Sequence, residues 1–276
     1  MNILIAILFG IVEGITEWLP VSSTGHMILL NEFVSMDVSD AFWEMFLVVI
    51  QFGAILAVVL LFRNQIFPFR LSARMRKKKG FLRKDIIRLW GLVLIACVPA
   101  ALVGILFDDV LDEIFYHWYV VAASLIVFGV AFIVAENMRA GKKARIKKLS
   151  QLEVRDALII GVFQLLAAVF PGTSRSGATI IGALFIGIAR GVAAEFTFIL
   201  AIPVMAGASL LKIIKFGFSF TGAEALILLA GTASAFLVSL FVIRGLMRFV
   251  RTHDFKIFGY YRIILAFVVI IYFVLK

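Results

Sequence analysis

Residues 13–26 read Glu13-Gly14-Ile15-Thr16-Glu17-Trp18-Leu19-Pro20-Val21-Ser22-Ser23-Thr24-Gly25-His26, an apolar run that carries two carboxylates, stops at a proline and restarts in a cluster of hydroxyls. Its tail, Pro20 to His26, is echoed by Pro171-Gly172-Thr173-Ser174-Arg175-Ser176-Gly177. Around the two cassettes Gly10, Pro20, Ser23 and Glu44 recur as Gly161, Pro171, Ser174 and Glu195, all at an offset of 151 positions without a gap, and Glu13 faces Gln164. A duplicated apolar segment broken by Gly and Pro is the mark of paired interrupted helices that build a polar site near the membrane midplane.

Working outward, 63% of the 276 residues are hydrophobic and the mean hydropathy is +1.09. That is far above a soluble domain, and most apolar stretches approach the ~20 residues that cross a bilayer. The expected fold is an all-α polytopic membrane protein: one integral membrane domain over residues 1–276, with repeat halves near 1–137 and 152–276 joined by a basic cytoplasmic loop. The net charge of +10 does not point to nucleic acid, because the cations sit in short connections rather than on an aromatic-bearing face. The single Cys97 excludes a disulfide framework or a cysteine metal site within one chain and reads as packing. The apolar run opens at Met1 without a basic leader and is not read as a cleaved signal peptide.

Six crossings are expected, near residues 42–62, 88–107, 117–136, 193–214, 222–243 and 258–275. Arg63 to Arg88 holds ten Lys/Arg, Arg139 to Arg155 seven and Arg244 to Lys256 four, together 21 of the 27. The positive-inside rule puts all three connections in the cytoplasm. Asp108-Asp109-Val110-Leu111-Asp112-Glu113, acidic throughout its charges, is expected as an external loop. The count closes only if residues 156–190 enter and return on the cytoplasmic side while the first cassette dips in from the exterior. Two re-entrant helical hairpins and an inverted-topology repeat follow, with the cassettes meeting around a cavity.

Glu13 and Glu17, four apart, share one face of a half-helix. Either they are a neutral core residue and an interfacial anchor, or, as is usual for intramembrane carboxylates, they are functional. A pair suits a hard divalent cation, Mg2+ or Ca2+, completed by water and phosphate, or a general base. After Pro20, three hydroxyls and the unhindered Gly25 backbone read as a helix N-terminus that cradles phosphate. Ser23 is the candidate nucleophile, and His26, three residues on, is a candidate acid or base. Ordinary serine capping and a hydrogen-bonded interfacial histidine are the alternative. Arg175 fits a phosphate bidentately, or else pairs with Glu13 or Glu17. Glu44 and Glu195 read equally as helix-start carboxylates or as support for the site. Arg262 reads as a snorkelling anchor ahead of a second phosphate contact. Chemistry is favoured over the other class considered, a transporter or flippase, because reversible binding does not need a Ser/His pair beside two carboxylates. A structural scaffold would leave the buried charges unexplained.

The run from Glu13 to His26, with Pro171-Gly172-Thr173-Ser174-Arg175-Ser176-Gly177-Ala178-Thr179, the Glu195-Phe196 stretch leading to Pro203, and Tyr261-Arg262, resembles the bacterial undecaprenyl-diphosphate phosphatase family, also called bacitracin resistance proteins, nearly end to end. The resemblance implies hydrolysis of undecaprenyl diphosphate to undecaprenyl phosphate and inorganic phosphate with a divalent cation, in the bacterial cytoplasmic (inner) membrane. It implies a polyprenyl diphosphate lipid and membrane lipids as partners. On the same carry-over Ser23 is the nucleophile, His26 an acid/base, Glu13 and Glu17 metal-associated or activating, and Arg175 the diphosphate clamp. Ser22, Thr24, Ser174, Ser176 and Thr179 are donors to substrate. An external opening of the first cassette agrees with a substrate in the outer leaflet. Oligomeric state, a homodimer included, is not written in the sequence.

Overall fold

A computed structural model describes residues 1–70 and 80–276, and the backbone alone of Asp108, Asp109 and Asp112. Residues 71–79 of the first basic connection, Lys78 included, therefore lie outside the described residues. The described residues form ten main helices in two sets of five. The first set is α1 (Asn2–Thr16), α2 (Ser23–Phe33), α3 (Asp40–Leu61), α4 (Lys84–Phe115) and α5 (Trp118–Arg139). The second is α6 (Val154–Val169), α7 (Arg175–Phe185), α8 (Arg190–Phe216), α9 (Gly222–Phe249) and α10 (Lys256–Leu275). Each set runs short, short, long, long, long.

The six helices long and apolar enough to cross a membrane are α3, α4, α5, α8, α9 and α10, matching the six expected crossings. At 1.5 Å per residue the 15 residues of α1 and the 11 of α2 reach only about 22 and 16 Å, short of a ~30 Å hydrocarbon core. The second set repeats this with 16 and 11 residues. One expectation fails: the acidic stretch Asp108–Glu113 is not a loop. The backbone of α4 stays helical through it for 32 residues, and only Tyr116 and His117 separate α4 from α5.

The main helix pairs map onto one another when the two sets are exchanged, although α7 also packs on α8 while α2 makes no comparable contact with α3. α1 packs on α9 while α6 packs on α4; α3 lies against α8 and α5 against α10. The crossings need backbone close to backbone. A Cβ on Gly10 would fall 2.3 Å from the Gly231 carbonyl oxygen, and one on Gly161 would fall 2.7 Å from that of Ala96. Small residues at such contacts are what lets apolar helices associate where no hydrophobic driving force exists between them.

The cassettes connect α1 to α2 and α6 to α7. Ser22 (φ 75°) and Ser174 (φ 68°) are the only non-glycine residues with positive φ among those described. Each is the N-cap of the following helix: Ser22 Oγ accepts from Gly25 N at 3.3 Å, and Ser174 Oγ from Gly177 N at 3.2 Å. The equivalence is therefore Ser22 with Ser174 and Gly25 with Gly177, an offset of 152. The gapless offset of 151 holds for Gly10 and Gly161 but fails at the turn. There the second copy carries one residue more, and Gly172 (φ 88°) absorbs it, pressed against the Val121 carbonyl. α7 is buried from Ser176 to Leu184, whereas α2 buries only Gly25 and Met27.

Candidate active site

The half-helix α1 ends by delivering two buried carboxylates: Glu13, 1% exposed, and Glu17, 8% exposed. The residue after each cap reaches Glu17. Ser23, the first residue of α2, donates its hydroxyl to Glu17 Oε2 at 2.9 Å, and Arg175, the first residue of α7, donates from Nη2 to Glu17 Oε1 at 2.9 Å. Ser176 Oγ adds a bond to the Glu17 carbonyl at 3.0 Å. The register shift places Ser23 and Arg175 at equivalent positions, so a hydroxyl and a guanidinium are the two copies of one site.

Arg175 is fixed further. Its Nη1 donates to the Thr197 carbonyl at 3.2 Å, and its guanidinium lies 5.9 Å from the centre of the Trp18 ring. Trp18 is fully buried and meets Phe198 edge-on at 5.2 Å. A guanidinium on an aromatic face gains a cation–π attraction that strengthens on desolvation. Thr179 bonds Thr197 Oγ1 at 2.9 Å and the Arg175 carbonyl at 2.9 Å, so it joins α7 to α8. Ser174 Oγ is shared between its cap and Ser176 Oγ at 3.2 Å. Of the expected donors to substrate, Ser22, Ser174, Ser176 and Thr179 thus have partners within the protein, while Thr24 stands half-buried beside Gly25.

His26 does not touch Ser23 through a hydrogen bond. Nδ1 is 2.7 Å from the Ser22 carbonyl and Nε2 2.7 Å from the Tyr261 hydroxyl. A carbonyl only accepts, so the neutral ring carries its proton on Nδ1 and Nε2 accepts from Tyr261. The group beside the candidate nucleophile is Glu17.

Arg262 is no snorkelling anchor. It is fully buried, and its guanidinium donates to the carbonyls of Gly172 (2.8 Å), Pro20 (3.4 Å) and Ser124 (3.4 Å). Pro20 and Gly172 belong to opposite cassettes, so this one side chain ties both turns to α5. Glu44 is exposed at the start of α3, 3.8 Å from Lys212. Its counterpart Glu195 lines a separate cavity. Trp18, Thr197 and Tyr261 belong to the site although spacing gave them no part in it. Trp18 had only its adjacency to Glu17 as a signal, and Thr197 contributes a backbone carbonyl that no sequence pattern announces.

Among the described residues no three His, Cys, Asp or Glu gather to form a metal cage. The donor set still suits a divalent cation. Glu13 Oε1 is buried without a hydrogen-bond partner, and each Glu17 oxygen keeps a second lone pair after accepting from Ser23 and Arg175. Two carboxylates with water and substrate phosphate are the usual set for Mg2+.

The profile of the family described as Bacitracin resistance protein BacA matches residues 6–268. Undecaprenyl-diphosphatase 1 of Clostridium acetobutylicum is 56% identical over 276 residues, covering 100% of this chain and 98% of that protein. The Undecaprenyl-diphosphatase of Desulfitobacterium hafniense is 56% identical over 97% of this chain and 95% of its own. That of Enterococcus faecalis is 55% identical over 98% and 97%.

Proposed function

The chain belongs to the bacitracin resistance protein BacA family, and we propose that it hydrolyses undecaprenyl diphosphate to undecaprenyl phosphate and inorganic phosphate, returning a lipid carrier to cell-wall polymer synthesis. The observation that carries the reading is the row Ser23–Glu17–Arg175, with one carboxylate between a hydroxyl nucleophile and an anion-binding guanidinium.

The terminal phosphate sits between the N-termini of α2 and α7, whose free N–H groups and dipoles favour negative charge. Glu17 takes the Ser23 proton as Oγ attacks the terminal phosphorus in line. The new O–P bond forms, the bridging P–O bond breaks, and undecaprenyl phosphate leaves with the proton that Glu17 took, which returns Glu17 to its carboxylate. Glu17 then takes a proton from water as its oxygen attacks the phosphoserine; the bond to Ser23 breaks, the proton returns to Oγ and inorganic phosphate departs. Arg175 holds the charge that spreads over the equatorial oxygens. His26, fixed by Ser22, holds and exchanges protons through Tyr261 at the exposed rim. A divalent cation, held by Glu13 and Glu17 when bound, supplies neutralisation of phosphate charge.

The half-exposed α2 supports a site that opens to the exterior of the bacterial inner membrane, with both short helix pairs re-entrant. A cysteine introduced at Lys78 then reacts with an impermeant reagent only from the cytoplasmic face. A second reading, transport of a polyprenyl phosphate, draws on the exchange symmetry of the helix pairs. Phosphate release from undecaprenyl diphosphate by the purified protein, with Mg2+ or Ca2+ and then with chelator, separates them: metal-dependent release supports the hydrolase, and none from folded protein shifts the reading to transport.

A further inference from the structure

Away from the Glu17 cluster, the three basic connections of the chain converge on one cavity of about 520 Å³. Arg88 comes from the first, Lys147 and Lys148 from the second and Arg251 from the third. These four face a single unpaired acid, Glu195, since Asp85, the other carboxylate in the lining, is paired with Arg83 at 3.3 Å. None of the four makes an ion pair among the described residues. Arg88 spends its donors on two neutral carbonyls, Ser150 at 2.9 Å and Leu152 at 2.8 Å, which fix its position and leave its charge uncancelled. Four exposed cations from three separate connections line one cavity that holds one acid outside an ion pair, a concentration of positive charge that favours an anion.

The lining also holds apolar side chains, Leu89, Leu92, Val192 and Met247 among them. The cavity's volume falls in the range of small-molecule sites, where apolar lining and a few convergent charged groups set orientation. On α8 the lining ends at Glu195, two residues before Thr197, whose carbonyl holds Arg175. The cavity is thus separate from the Ser23 site but built on the same helix.

We propose that this cavity is a second anion site, for a phosphate dianion that is either free inorganic phosphate or the headgroup of a phosphomonoester with an apolar tail. The four cations supply the charge, with Arg88 held in place by its two carbonyl bonds. The apolar side chains accept the first carbons of a tail where there is one.

The test uses the full chain in detergent, in a Glu17→Gln/Arg175→Met background that removes both charges of the Ser23 site together, with inorganic phosphate and a soluble short-chain prenyl monophosphate as separate calorimetric probes. At least one probe is expected to bind saturably, with affinity falling tenfold or more on adding Lys148→Gln and Arg251→Gln. Phosphate alone binding identifies free anion as the ligand; the prenyl phosphate alone identifies the lipid headgroup; both identify the dianion itself. No binding of either, or binding unchanged by the two cavity substitutions, overturns the proposal. The same two substitutions in the otherwise native chain are expected to leave melting temperature and phosphate release unchanged. Lost melting cooperativity there is met by the charge-conserving Lys148→Arg/Arg251→Lys variant, which must retain binding if the charge is what counts.

Discussion

Ser23 and Arg175 occupy the same position in the two halves, the first residue after a positive-φ serine cap, and they donate to the two oxygens of one carboxylate, Glu17. The duplicated turn presents different groups in its two copies, once a hydroxyl and once a fixed positive charge.

Replacing Ser23 with alanine is expected to lower phosphate release by at least about 10³-fold, as loss of a nucleophile does elsewhere, with little change in melting temperature. Labelled phosphate should be trapped on Ser23 of the wild type on rapid quenching. Full activity in Ser23→Ala would mean that Glu17 or His26 activates water directly.

Glu17→Gln is expected to abolish activity and to destabilise as well, because Arg175 keeps only 13% side-chain exposure and loses its counter-charge. Breaking such a pair costs about 3–5 kcal/mol. The double variant Glu17→Gln/Arg175→Met should regain most of the melting temperature and none of the turnover, since it removes both buried charges together.

Glu13 makes the narrower prediction. If its unpartnered Oε1 is a cation ligand, Glu13→Gln raises the Mg2+ or Ca2+ concentration for half-maximal release by tenfold or more, with stability preserved. An unchanged cation requirement assigns the orphan oxygen to packing instead.

Gly10→Ala and Gly161→Ala place a methyl 2.3 and 2.7 Å from backbone carbonyl oxygens on α9 and α4. Neither helix can retreat without moving its whole packing face, so a loss of about 1–3 kcal/mol is expected for each, read from melting in detergent. Because the contacts are equivalent, the two losses should be similar in size.

The crossings were legible because a ~20-residue apolar run has one main use in a chain this apolar, and the candidate site was legible because Glu13, Glu17 and Arg175 are charges in such runs. Less visible was whatever depends on a single residue of register. Identities at Gly10 and Pro20 suggested one offset, but Gly172 shifts the second turn by one, so Ser23 is matched by Arg175 and not by Ser174. Arg262 reads as an anchor from sequence because proximity to a span end suggests a tip in water, and only the fold puts three carbonyls around it. The acidic stretch after Phe107 looked like a loop on composition, yet nothing in it breaks a helix: it has no Gly or Pro.

The unequal burial of α2 and α7 bears on antibiotic design. A compound that competes for the phosphate cradle meets the half-exposed side of α2, where Thr24 is only half-buried although Ile28 packs against the cluster around Leu125 and Leu265. Along α7 every side chain from Ser176 to Leu184 is enclosed. Escape mutations should therefore accumulate on the first copy of the motif, and an inhibitor whose contacts are drawn mainly from the second would be the harder one to evade.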